Sequence, residues 1–294
     1  MNSLDLQSAP TRATGISRGA RRKPLKLRRA TAIGAPRPAH QPTVWAIRIG
    51  HLIMLVGAWQ WYGTVSGGIF VPSVTDTFAE FPKLIATGQL TDALIQSNIA
   101  LLIGYPLSVI FGLALGFIIG RNRVADRALS YWLDIAMVIP MVAVIPVVIV
   151  ALGLSLSARV AVVVLFTLPV IALNARAAVR VIQPDLVEMA ASFGASRRQT
   201  WMEVILPSAI PVIFTGLSIG IGRAISGMII VELVLIPAGL GGLLLDFKST
   251  FSAAALYAVT LVVAAEGIIL TSLGRMVEKR IQRRMQGGVT NEAS

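Results

Sequence analysis

The sequence predicts an all-α membrane protein of six transmembrane helices, with one long polar hairpin between the fourth and the fifth. Four observations predict it. Hydrophobic residues make up 55% of the 294-residue chain and charged residues only 14%, where a soluble globular chain carries about 25%. Mean hydropathy is +0.76. Apolar runs long enough to cross a bilayer, which takes about 20 residues, recur between short polar segments. Lys and Arg collect on one side of those runs, the pattern that marks cytoplasmic segments.

Residues 1–43 are a polar arm rich in Pro, Ser, Thr and Arg, centred on Arg21-Arg22-Lys23-Pro24-Leu25-Lys26-Leu27-Arg28-Arg29. They show no apolar periodicity, so the arm is expected to be disordered and cytoplasmic. Arg21-Arg22 superficially matches a twin-arginine export signal. The apolar run starts only near Val44 and no small-residue cleavage site follows it, which argues against a cleaved leader. Beside a span, a polybasic arm is attracted to anionic lipid at about 1 kcal/mol per basic residue. It lacks the interleaved aromatics that would favour nucleic acid.

A six-span domain is expected over residues 44–284, with a flexible tail at 285–294. The first span covers roughly Val44 to Ser66 and ends in Trp59, Trp61 and Tyr62, residues that suit a membrane interface. Val74, Phe78, Phe81, Leu84 and Ile85 then fall near helical spacing. They predict an interfacial amphipathic helix on the outer side, interrupted or kinked near Pro82. The second span, Ser97 to Gly120, carries Gly104, Ser108, Gly112, Gly116 and Gly120 at every fourth position. That stripe permits close helix contact, either within one chain or at a seam between two copies. The third span, Tyr131 to Leu152, should kink at Pro140 and Pro146. The fourth runs from Ala158 to Val181, with Asn174, Arg176 and Arg180 at its inner end. The fifth covers Ala209 to Ile236, a Gly-rich outer loop Pro237 to Ser252, and the sixth Ala253 to Leu273. An even number of spans puts both termini, and the hairpin, on the basic, cytoplasmic side.

The hairpin runs from Pro184 to Pro207. Pro184 suits the first turn of a helix, where its missing N–H costs nothing. Asp185 and Glu188 sit near the positive helix start. Gly194 can take the left-handed conformation that ends a helix. Ser196 and Gln199 have capping-box spacing, so a second helix begins there. Glu188-Met189-Ala190, Gly194 and Val204-Ile205-Leu206-Pro207 resemble the Glu-Ala-Ala loop of bacterial ABC-importer permeases. Met189 replaces an Ala and Val204 an Ile of that pattern; the other positions and the gaps agree. The resemblance extends over about 44–284 and is closest to importers of nitrate, sulfonates, taurine and related small solutes. Pro140, Pro146, Gly153, Pro211, Gly216, Arg223 and Glu232 also fit it. One departure is Ser218, where many members carry Arg after Gly-Leu; an Arg there that handles an anion is missing in this chain.

The resemblance implies a type I ABC importer-like fold and alternating access driven by ATP. It also implies a second copy of this chain, two ATP-binding cassette subunits and an external solute-binding protein. Glu188, Ala190, Ala191, Gly194 and Ala195 would couple ATPase closure to the pathway, the solute being nitrate-, sulfonate- or taurine-like or a vitamin precursor. The residues themselves point away from an enzyme. Cysteine is absent, and His40 and His51 are the only histidines, so thiolate chemistry and a His-based metal site are excluded. Gly242-Leu243-Leu244-Leu245-Asp246-Phe247-Lys248-Ser249 has Phe247 where a phosphate loop needs its second Gly. No cofactor is expected in this chain, ATP belonging to a partner subunit. A stand-alone secondary transporter or channel is the alternative, but the inverted repeats that would support it are not evident. A membrane scaffold is a third reading, for which only the basic arm speaks.

Charges inside the apolar runs are the remaining candidates, since an ionised group at the bilayer centre costs about 2.5–3.5 kcal/mol on insertion scales. Arg223 and Glu232 are nine residues apart, hence on opposite faces of one helix at about 100° per residue. Arg223 and Glu266 fall at similar depth on neighbouring spans. They are expected to form either a structural ion pair or, with Arg223 facing the pathway, a solute contact.

Overall fold

The computed structural model describes residues 41–180, 184–234 and 237–290, and every regular element among them is a helix. In chain order these are α1 (Gln41–Val65), α2 (Val74–Ala86), α3 (Gln89–Arg121), α4 (Arg123–Val138), α5 (Met141–Leu152), α6 (Leu156–Arg180), α7 (Pro184–Ser192) and α8 (Arg197–Gln199). A π-helical segment (Thr200–Ile205) leads into α9 (Leu206–Val234), followed by α10 (Gly239–Ser249) and α11 (Ala253–Thr290). Two units meet at residues 52 and 53. In the first, only the start of α1 is described, where Arg48 lies 5.5 Å above the Trp45 ring. Residues 1–40 of the predicted arm lie outside the described residues.

In the second unit α3, α6, α9 and α11 are long and apolar enough to cross a membrane. The pair α4 and α5, bent by 103°, makes a fifth span if counted as one. The first predicted span corresponds to the 25-residue α1, which carries Arg48, His51 and Gln60 and falls outside that criterion. Pro140 is the cause of the break: it stands between α4 and α5 and has no N–H to continue the ladder. The expected kink is therefore a sharp corner.

α3, α6 and α9 form the core. The small-residue stripe of α3 is spent on α6. A Cβ at Gly104 would come 2.7 Å from Val163 Cγ1, and one at Gly116 2.5 Å from the Ala172 carbonyl. Larger residues would push the backbones apart, so the stripe serves packing within one chain. α9 packs on α6 in the same way, with Gly220 against Ile171 and Gly227 against Phe166. Around this core Leu102, Ile110, Phe111, Ile118 and Val150 stay exposed, the surface that lipid rather than water would cover.

Two expectations change. Pro82 lies inside an unbroken α2, whose start is fixed by the Ser73 cap and by a Trp59 indole N–H donating to the Pro72 carbonyl at 2.9 Å. The predicted loop at 237–252 is largely the helix α10. Its glycines oppose helix formation as isolated residues, but here the backbone must approach α9 more closely than side chains allow.

Candidate functional site: the hairpin, a buried carboxylate and an arginine-lined cavity

At one end of the bundle the hairpin is built as its residue types require. α7 starts at Pro184. It ends in a Schellman motif: Gly194 N–H donates to the Ala191 carbonyl and Ala195 N–H to the Ala190 carbonyl, both at 3.0 Å. Gly194 has φ +77°, the conformation this motif demands. Ser196 and Gln199 then close the capping box, with Ser196 N–H donating to Gln199 Oε1 at 2.9 Å and Gln199 N–H to Ser196 Oγ at 3.3 Å. Ala190 is buried, α7 packing on the π-helical segment, while Met189 and Phe193 project outward. Glu188 is exposed, and only its carbonyl is engaged, accepting from the Ser192 hydroxyl. The hairpin thus exposes two large apolar side chains and a carboxylate, on a turn shaped by a single glycine.

Sequence reasoning missed how the hairpin is fixed to the spans. Trp201, in the π-helical segment, lies under the Arg121 guanidinium at 4.8 Å. That cation–π contact ties the hairpin to the end of α3. Beside it Asp126 of α4 accepts from Ser130 at 2.7 Å and from Arg176 Nε at 2.8 Å, and pairs with Arg180. The crowding of Arg176 and Arg180 was visible in the sequence; their partner fifty residues away was not.

At the opposite end Glu232 is fully buried and gathers four helices. Ser97 Oγ of α3 lies 2.9 and 2.8 Å from its two carboxylate oxygens. Gly241 N–H of α10 donates to Oε2 at 3.1 Å, and Arg159 Nη1 of α6 stands 3.5 Å from Oε1. Ser97 Oγ in turn accepts from Leu240 N–H at 2.9 Å. The carboxylate therefore caps the start of α10, where free amides favour negative charge. A Cβ on Gly239 would strike Ser97 Oγ and Glu232 Oε1, and one on Gly241 would strike Glu232 Cβ. This explains the Gly-rich sequence of α10.

Arg223 and Glu266 are not brought together. Arg223 is exposed and lines a cavity of about 310 Å³ formed by the α4–α5 corner and α6. Both Glu266 carboxylate oxygens are buried and have no hydrogen-bond partner among the described residues. Its polar neighbour is Asn98 of α3, whose amide donates to the Leu94 carbonyl. The two groups face different helices. Ser218, the departure noted above, donates to Glu278 Oε2 of α11 at 3.1 Å, and Thr215 donates to Oε1 at 2.8 Å. Position 218 thus faces a neighbouring helix.

Residues 108–283 match the family model described as the binding-protein-dependent transport system inner membrane component. Among similar proteins, the riboflavin transport system permease protein of Chloroflexus aurantiacus is 31% identical over 234 residues, covering 79% of this chain and 87% of that protein. The putative aliphatic sulfonates transport permease protein of Escherichia coli is 29% identical over 243 residues, 81% and 90% of the two chains. The taurine transport system permease protein of the same organism is 26% identical over 202 residues, 66% and 74%. Among solved structures, a chain of an amino acid ABC transporter with histidines aligns with TM-score 0.57 at 17% identity, covering 69% of this chain and 97% of that one. An inward-facing MetNI methionine ABC transporter aligns with TM-score 0.52 at 20% identity, covering 62% and 93%. These structures share the fold.

Proposed function

Because the chain belongs to the family of binding-protein-dependent transport system inner membrane components, we propose that it is the permease subunit of an ATP-driven importer in the bacterial inner membrane. The observation that carries this reading is the hairpin: a Schellman turn at Gly194, a capping box at Ser196 and outward Met189 and Phe193 make a preformed docking knob. Two copies of this chain would pair with two ATP-binding cassette subunits and receive solute from an external binding protein, with both termini on the hairpin side. Glu188 and the outward face of α7 would seat in the ATPase. Ala191 and Ala195 would allow close approach of the partner, buried Ala190 would allow close approach within the hairpin, and Gly194 would set the angle. The Arg121–Trp201 contact and the Asp126 clasp would carry ATPase closure into α3, α4 and α6, switching the pathway by alternating access.

The names of the relatives support a small solute of the nitrate, sulfonate, taurine or vitamin-precursor kind. Ser218 does not argue against an anion, since that position faces Glu278. Arg223 is the residue we assign to the pathway; Glu232 and Glu266 serve as packing groups. The test is co-purification of the chain with a co-expressed ATPase subunit and with candidate binding proteins, each loaded with a different solute. Solute-dependent stimulation of ATP hydrolysis by one of them is expected. A chain that purifies without any ATPase subunit yet conducts solute would overturn the reading.

A further inference from the structure

The cavity beside Arg223 contains acceptors as well as a cation, and the acceptors follow from its prolines. The backbone bonds at the α4–α5 corner run from Ile139 N–H to Ile135 and from Ala143 N–H to Pro140. Neither reaches the carbonyls of Ala136, Met137 or Val138. Pro140, with no N–H, cannot bond Ala136. On the facing wall Pro169 lies within α6, so the Leu165 carbonyl loses its partner four residues on. All four residues line the cavity, together with Arg223. Carbonyls left without a partner away from water cost free energy, and irregular backbone at membrane depth is tolerated where it lines a cavity.

Arg223 is the one charged residue of the lining, and no carboxylate stands there to neutralise it. Among the described residues it makes no ion pair. The rest of the wall is aliphatic and aromatic, with Phe166 held over Gly227. A guanidinium suits an acid group; carbonyl oxygens suit a hydrogen-donating cation such as an ammonium. The geometry points to a solute-binding subsite for a small zwitterion, its acid on Arg223 and its amine on the freed carbonyls of Ala136 and Leu165. This rests on the permease reading and names a substrate class for its pathway. A nitrate or a simple alkanesulfonate would leave the carbonyls unpaired. Sites built to hydrogen-bond a donor discriminate strongly against an analogue lacking it.

Three probes with one two-carbon body separate the parts: taurine, ethanesulfonate and ethylamine. Binding is measured by isothermal titration to the full-length chain, purified with its ATPase subunit in lipid nanodiscs. Taurine should bind at least tenfold more tightly than either analogue. Arg223→Gln should weaken taurine at least tenfold and leave ethylamine unchanged. Pro169→Ala, which returns an N–H to Leu165, should lower taurine towards ethanesulfonate. Equal binding of taurine and ethanesulfonate overturns the zwitterion assignment. Taurine binding that survives Arg223→Gln overturns the site, as does failure of all three probes to bind the wild type. The permease reading is judged separately, by whether the ATPase subunit purifies with the wild-type chain.

Discussion

Gly194 and Gly239 both hold φ in the left-handed region, at +77° and +62°. Around Gly194 an added Cβ would meet nothing within 4 Å, whereas at Gly239 it would run into Ser97 Oγ and Glu232 Oε1. At the hairpin end, backbone conformation alone sets the shape and the surroundings are open, as the proposed docking role requires. At the other end, shape is set by how closely backbone can approach a buried carboxylate. The same residue type thus serves adjustable contact at one end and sealed packing at the other. A substitution should reveal which by its phenotype: loss of partner binding in a folded chain, or loss of the folded chain.

The largest effect is expected at Gly239. Gly239→Ala adds overpacking, about 1–3 kcal/mol, to left-handed strain of about 1–3 kcal/mol. The monodisperse yield in detergent should collapse, and an unchanged yield and Tm would dissolve the contrast drawn above. Glu232→Ala comes next. It leaves the Gly241 amide and the Ser97 hydroxyl without their carboxylate acceptor, at about 1–3 kcal/mol for a buried unsatisfied group, and leaves Arg159 with the Gln96 carbonyl. A thermal melt should show a clear drop, with Ser97→Ala smaller. Trp201→Ala removes a partly exposed cation–π contact of about 0.5–1 kcal/mol. The melt should barely move, while solute uptake per ATP hydrolysed falls; uptake and hydrolysis falling in proportion would deny the contact a relay role. Smallest of all, deleting the residues before Thr43 should leave transport near normal in correctly inserted protein, measured by uptake at matched expression.

Local chemistry was legible in the sequence. Pro184, Gly194, Ser196 and Gln199 act through neighbours no more than five residues away, and their structure matches the pattern read from them. The apolar runs marked the spans for the same reason: period and length are local. What was not legible depends on azimuth. Arg223 and Glu266 were matched by depth, but depth says nothing about which neighbour a helix face meets, and one faces the α4–α5 corner while the other faces α3. Ser97, Arg159 and Glu232 come from three helices, with 135 residues between the hydrogen-bonded pair. No spacing rule spans that distance. The helical state of α10 was hidden because its glycines answer to Glu232, a tertiary demand that overrides propensity.

The hairpin is the proposed docking element for an ATPase subunit, and Gly194→Leu tests that role most directly. The open surroundings mean that Leu costs only conformational strain, about 1–3 kcal/mol, so the chain should insert and fold at wild-type levels. The measurement is the amount of ATPase subunit that co-purifies with Gly194→Leu, per permease chain, at matched expression. The wild type should retain its ATPase subunit, and the variant should lose most of it, together with solute uptake. A variant that keeps the ATPase subunit in full and imports normally would contradict the docking role assigned to Gly194 and its turn.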